Sequence, residues 1–201
     1  MRKMILLLYV LLSVTASAYG ADDLCLQAME TLRNGFAGTS DFVAEIRQEK
    51  HLALMKQSMV SKGLVRFKKP DTFFMELYPP HASRLLMQDN LMILRFPEQR
   101  VTDRVVLPPE DGLKKWFAYL GNTANMLPDG VDAKAERHGR LWSVQLAPRK
   151  KGAVQRLTIS FDSDGTIGRI VIDERNRDRI ILSFSNLRRN VGLQDKDFRV
   201  E

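Results

Sequence analysis

The sequence predicts a mainly β protein, built as a strongly curved antiparallel sheet or an open barrel with few helices. Three observations predict it. About ten short apolar segments follow one another, each bounded by turn residues. Several of their connections are too short for anything but hairpins, and no alternation of strand and helix supports a parallel sheet. Helical periodicity is confined to one stretch near the start and one in the middle.

The chain opens with Arg2 and Lys3, then an apolar run from Met4 to Leu12, then the small residues Ala16-Ser17-Ala18 and Gly20. This is the pattern of a secretory leader over residues 1–20, cleaved after Ala18 or Gly20, with a run too short to span a bilayer. Residues 21–201 then form a single exported domain. Asp22-Asp23-Leu24 precede Cys25 in place of the small apolar residues that lipid attachment needs. A lone cysteine makes no internal disulfide, so Cys25 reads as a small apolar residue near a helix start. Arg2 and Lys3 account for two of the 31 basic residues, leaving 29 against 24 acidic ones, a net charge of +5. The charges are dispersed and no nucleic-acid motif accompanies them, so nucleic acid is excluded as a partner.

Asp22 or Asp23 is placed to cap a helix whose buried face is Leu24, Ala28, Leu32 and Phe36, with Gly35 and Gly38 ending it. The period then changes to two. Phe42, Ala44 and Ile46 face one way while Glu45 and Arg47 face the other. Strands follow at Leu64 to Phe67, Phe73 to Tyr78, Arg84 to Gln88, Leu91 to Phe96 and Val101 to Val106, with Asp89-Asn90 as a hairpin turn. Leu113, Trp116, Phe117 and Leu120 fall at helical spacing and predict an amphipathic helix over Gly112 to Leu120. Leu141 to Leu146, Val154 to Phe161, Thr166 to Asp173 and Arg179 to Leu187 return to strands, and Asp162-Ser-Asp-Gly165 turns between two of them.

Catalytic chemistry is not signalled. His51, His81 and His138 are isolated, and no nucleophile elbow or phosphate-binding loop occurs. Asp173 and Glu174 are neighbours on a strand and so point to opposite faces. Glu76 alternates away from Phe73, Met75 and Leu77 and reads as solvated. The expectation is a protein with no enzymatic activity, no cofactor and no metal. Methionines are instead dispersed at Met29, Met55, Met59, Met75, Met87, Met92 and Met126, and such side chains adapt to irregular apolar ligands. A curved sheet covered by one helix makes an apolar pocket, although periodicity alone equally fits a closed, filled core.

Ser40-Asp-Phe-Val-Ala-Glu-Ile-Arg-Gln48, Ser61-Lys-Gly-Leu-Val-Arg-Phe-Lys-Lys-Pro70, Phe73 to Pro79, the hairpin Leu85 to Phe96, Leu141 to Pro148 and the hairpin Val154 to Ile172 occur in that order. Together they resemble the periplasmic outer-membrane lipoprotein carriers called LolA. The resemblance implies an unclosed β-barrel with an N-terminal helix and a short helical lid, in the periplasm of a Gram-negative bacterium. It implies a monomer that binds the acyl chains of lipoproteins or lipids in an apolar cavity and shuttles them from inner to outer membrane. The donor would be an inner-membrane ABC-type transporter and the recipient an outer-membrane acceptor protein. Carried over, the cavity is lined by Phe42, Ile46, Phe73, Met75 and Leu77, with Trp116, Phe117, Leu120 and Met126 in the lid region. Lys69 stands where the family places an arginine that latches the lid, and lysine lacks that residue's planar fork of donors. Fuller members also continue past the region of Asp197-Phe198-Arg199 with a Pro-rich loop and a final strand. Two departures of this kind leave room for a glycolipid, a pigment or another acylated product as cargo. They also leave room for a regulatory domain that senses lipoproteins.

Overall fold

The computed structural model describes residues 19–55, 57–107, 130–150 and 152–200. Residues 1–18 of the expected leader and the mid-chain helix expected over Gly112 to Leu120 lie outside them. A helix, α1 (Tyr19–Ala37), precedes β1 (Asp41–Leu52), β2 (Gln57–Lys68), β3 (Thr72–Leu77), β4 (Ser83–Gln88), β5 (Leu91–Phe96) and β6 (Val101–Val106). The second half holds β7 (Val131–His138), β8 (Leu141–Pro148), β9 (Val154–Asp162), β10 (Ile167–Glu174) and β11 (Arg179–Arg189). A 3-10 turn, Asp195–Phe198, leads into the tail.

All eleven strands form one antiparallel sheet in the order β6-β5-β4-β3-β2-β1-β11-β10-β9-β8-β7. Two meanders are joined at the centre by β1 and β11, and the two outer strands do not pair, so the sheet is an unclosed barrel. Its curvature follows from which residues meet. Ile180 on β11 and Phe96 on β5 line one cavity although five strand spacings separate them. A flat sheet would hold them ~24 Å apart at ~4.8 Å per strand.

Helix α1 lies in this concavity at one side. Ala28, Leu32 and Phe36 pack on Trp142, Val144, Leu146 and Phe161, and the Trp142 and Phe161 rings stack with centroids 6.4 Å apart. The sheet supplies room for the helix by using small side chains on β7, where Ala133 and Ala135 face it. The approach is closest at Gly35 and Gly165. A Cβ on Gly35 would sit 2.6 Å from the Gly165 Cα, and Gly165 itself has φ +78°. Gly35 is therefore a contact glycine within the helix rather than its terminator, and the helix runs on to Ala37 just before Gly38. The start also differs from expectation. The helix already includes Tyr19, the first described residue, so Asp23 lies inside it and accepts a hydrogen bond from Gln27 Nε2 at 3.0 Å.

A second cluster, Ala44, Ile46, Val65 and Leu77, occupies the concave side of β1–β3, with Phe42 touching both clusters. Where β11 ends, Asp41 at the start of β1 is 5 % exposed. Its carboxylate accepts the backbone N–H groups of Val191, Gly192 and Leu193 at 2.7, 3.1 and 3.2 Å. Asn190 adds bonds to Ser40 N and the Gly38 carbonyl at 2.7 and 2.9 Å. These bonds turn the tail onto the outer face of the sheet. There Phe198 is buried close to β3, where Phe74 is buried too. Glu76 on that face is not solvated as expected: it pairs with Arg84 at 2.8 Å and Arg66 at 4.0 Å and is largely shielded.

Candidate functional site

The inner face alternates along the strands except at bulges in β11 opposite Val43 to Glu45 and where β10 pairs with β9, so its residues follow from the registers. Phe42 pairs with Phe67, Phe67 with Phe73, Ala44 with Val65, Val65 with Met75, Ile46 with Gly63 and Gly63 with Leu77. Side chains directly opposite across antiparallel strands share a face. Phe42, Ile46, Phe73, Met75 and Leu77 thus stand together on the concave side. Ile46 and Leu77 are fully buried, while Phe42, Phe73 and Met75 are half-buried. Trp116, Phe117, Leu120 and Met126 lie outside the described residues.

Two cavities lined by described residues open on this face. The inner one, of about 170 Å³, lies where the end of α1 meets the middle of the sheet. Phe36, Phe42, Phe67, Phe73, Ile170 and Phe184 are among its walls, and its described lining is entirely apolar. The Phe42 ring bridges Phe36 and Phe67 with centroids 6.0 and 5.3 Å away, an edge contact and a tilted one. A pocket without a donor or acceptor offers nothing to a polar group and penalises its desolvation. Hydrocarbon is the chemistry it fits. The outer cavity, of about 390 Å³, extends the same face toward the far end of the strands. Met59, Met75, Leu77, Leu94 and Phe96 form its apolar side, and Gln48, Lys50, His81 and Glu98 its polar rim. An amphiphile would meet hydrocarbon-like walls within and polar groups at the mouth.

Lys69 follows the end of β2. Its Nζ donates to the carbonyl of Phe36, in the last turn of α1, at 2.8 Å. That turn carries no basic residue of its own, so Lys69 brings from another element a cation that complements the carboxyl end of the helix dipole. The expected latch partner in the lid lies outside the described residues. The bond that is described ties the corner between β2 and β3 to the helix whose Phe36 walls the inner cavity.

Sequence periodicity did not single out Phe36, Phe67, Ile170 and Phe184 as lining residues, nor Met59, Leu94 and Phe96. Their alternation was visible. Which of the two faces curls inward, and where α1 stops covering it, were not. Among the described residues, no group of three or more His, Cys, Asp or Glu is placed to hold a metal ion. The Asp162-Ser-Asp-Gly165 segment is a turn. Asp162 and Asp164 are held below the ordinary carboxylate value, chiefly by the backbone N–H groups of Ser163 and Thr166 respectively. Among the described residues no helix is long and apolar enough to cross a membrane.

The chain is similar to a DUF1329 family protein from Desulfovibrio piger, at 13% identity over 87% of this chain and 95% of that one, with a TM-score of 0.48. It is similar to a LolA superfamily protein from Nitrosomonas europaea, at 9% identity over 88% and 97% of the two chains, with a TM-score of 0.48. It is also similar to a putative outer membrane lipoprotein-sorting protein domain from Vibrio parahaemolyticus, at 11% identity over 89% and 97%, with a TM-score of 0.47. No curated protein matches the chain in sequence. The sequence pattern of one family, described as outer membrane lipoprotein carrier protein LolA, matches residues 37–201. That span takes in the whole sheet, the tail and every described lining residue of both cavities except Phe36, and the chain belongs to the LolA family of outer membrane lipoprotein carrier proteins.

Proposed function

We propose that the mature chain is an exported periplasmic carrier that takes the acyl chains of a lipoprotein or lipid into the concave cavity and shuttles them between the two membranes. The observation that carries this reading is the inner cavity, described as wholly apolar and contiguous in face with a larger cavity whose rim is polar. Acyl chains need such shelter in an aqueous compartment, since each methylene buried is worth ~0.8 kcal/mol. Eight methylenes would contribute ~6 kcal/mol, enough for stable capture and little enough for release to a competing apolar acceptor. The half-buried phenylalanines and methionines are the contacts that a chain would complete. The proposal assigns no catalytic step and no cofactor. A donor transporter and an outer-membrane acceptor are the partners it implies.

The test is Met75→Arg with a fluorescent fatty-acid probe. Met75 is half-buried on the cavity wall, so its long replacement can reach the polar rim and the protein is expected to remain folded while probe binding falls at least tenfold. Probe binding equal to wild type would overturn the reading. Mass spectrometry of material co-purifying with the protein from its native compartment then identifies the cargo: an acylated protein supports lipoprotein transport, and a free glycolipid or pigment redirects it.

A further inference from the structure

The outer face of the sheet holds a second site, unrelated to the apolar cavity. On β4 and β5, Arg84 and Arg95 lie directly opposite each other and share the outer face, where like charges repel. The carboxylate close to them, Glu76, is already divided between Arg84 and Arg66. Arg95 therefore has no share in it. The side chains of Arg95, Arg104 on β6 and Arg199 in the tail make no ion pair or hydrogen bond with any described residue, and the Nε of Arg95 is buried without a partner. A buried guanidinium nitrogen left without an acceptor is a cost that a bound acceptor removes.

These three arginines surround one open groove of about 560 Å³. Its floor is Leu86 and Ile93, paired across β4 and β5, and its wall is Phe198 and Val200 of the tail. Positive forks above an apolar floor suit a ligand that alternates carboxylates with apolar side chains, because a guanidinium takes a carboxylate with two parallel bonds. A bilayer surface is flat and does not enter a groove sunk between tail and strands. A free inorganic anion would leave the apolar floor uncovered.

We propose that this groove docks an acidic, extended segment of a partner protein, with carboxylates on Arg95, Arg104 and Arg199 and an apolar side chain over Leu86 and Ile93. The proposal does not rest on the acyl-carrier reading, since the groove and the cavity lie on opposite faces of the sheet. The experiment is fluorescence anisotropy of a labelled seven-residue peptide alternating glutamate with leucine, titrated with the mature chain. Binding is expected, at least tenfold weaker after the double change Arg95→Gln and Arg104→Gln, with thermal midpoint and fatty-acid probe binding retained. Arg104→Glu, at an exposed strand position, supplies the same reading should the double variant fold poorly. A peptide alternating lysine with leucine is expected not to bind. The proposal is overturned if the glutamate peptide does not bind, if it binds wild type and variants equally, or if the arginine-dependent partner proves to be phosphatidylglycerol vesicles instead.

Discussion

One curved sheet contains two opposite solutions to an apolar inner face. On the side of β7–β9 the concavity is filled: α1 inserts Ala28, Leu32 and Phe36, and the strands answer with Trp142, Val144 and Phe161, all buried. On the side of β3–β5 the same alternation places Phe73, Met75, Leu85, Met87, Met92 and Leu94 inward with Leu77, and of these seven only Leu77 is more than half-buried. The backbone architecture is the same on both sides. Whether it makes a core or a cavity depends on where the helix stops and on side-chain size, with alanines where a helix must approach and methionines where the neighbour must adapt.

Matched truncations test that contrast most sharply. Trp142→Ala, on the filled side, is expected to cost about 3–5 kcal/mol in denaturant unfolding. Met75→Ala, on the cavity side, is expected to cost less than about 1.5 kcal/mol, because its surroundings are already incompletely packed. Equal losses would mean that the two sides are energetically one core. The next effect concerns the clamp between them. Asp41→Ala strands three backbone donors and is expected to lower stability by about 2–3 kcal/mol. It should also loosen the tail, read as faster amide exchange over residues 193–200. Lys69→Met is a smaller change, about 1 kcal/mol or less, since the ammonium is partly exposed. Its sharper readout is kinetic: freeing the end of α1 beside Phe36 is expected to speed release of a bound fatty-acid probe, and an unchanged off-rate would detach Lys69 from the cavity.

The smallest effect is acid sensitivity at the turn against which α1 rests. Asp162 and Asp164 have folded values below the ordinary 3.8. Their contribution is therefore complete above that value and is lost as pH falls below it through the depressed folded values. Thermal midpoints measured from pH 5 down to pH 2.5 are expected to fall less steeply in Asp164→Asn. Parallel curves would show that the turn does not share in acid unfolding.

Most of the fold was legible because strands announce themselves by a period of two, and ten of the eleven were visible. The exception, β7, alternates Val131, Ala133 and Ala135 with Asp132, Lys134 and Glu136. Its alanines are weak strand formers, and they are present for a tertiary reason, the helix lying on them. Gly35 misled in the same way: a glycine late in a helix reads as an end, whereas here it admits the backbone of Gly165. In the candidate site, Phe42, Ile46, Phe73, Met75 and Leu77 were assignable to one face by alternation. Glu76 was misplaced because sequence shows which residues share a face but not what later folds over it. The tail that covers Phe74 lies more than a hundred residues downstream.

The pairing of β1 with β11 brings the start and end of the domain together, with Ser40 bonded to Asn190 across 150 residues. Each meander closes through short local hairpins, but the seam between them has nothing to join until the last strand is present. A chain threaded end-first through a narrow opening would therefore hold two separate half-sheets, with both inner faces wet, up to the final moments of delivery. Closing so long a loop is costly in entropy and slow. Both cavities draw part of their lining from β11, Ile180 in the outer one and Phe184 and Leu187 in the inner one, so neither wall is complete before the last strand is in place.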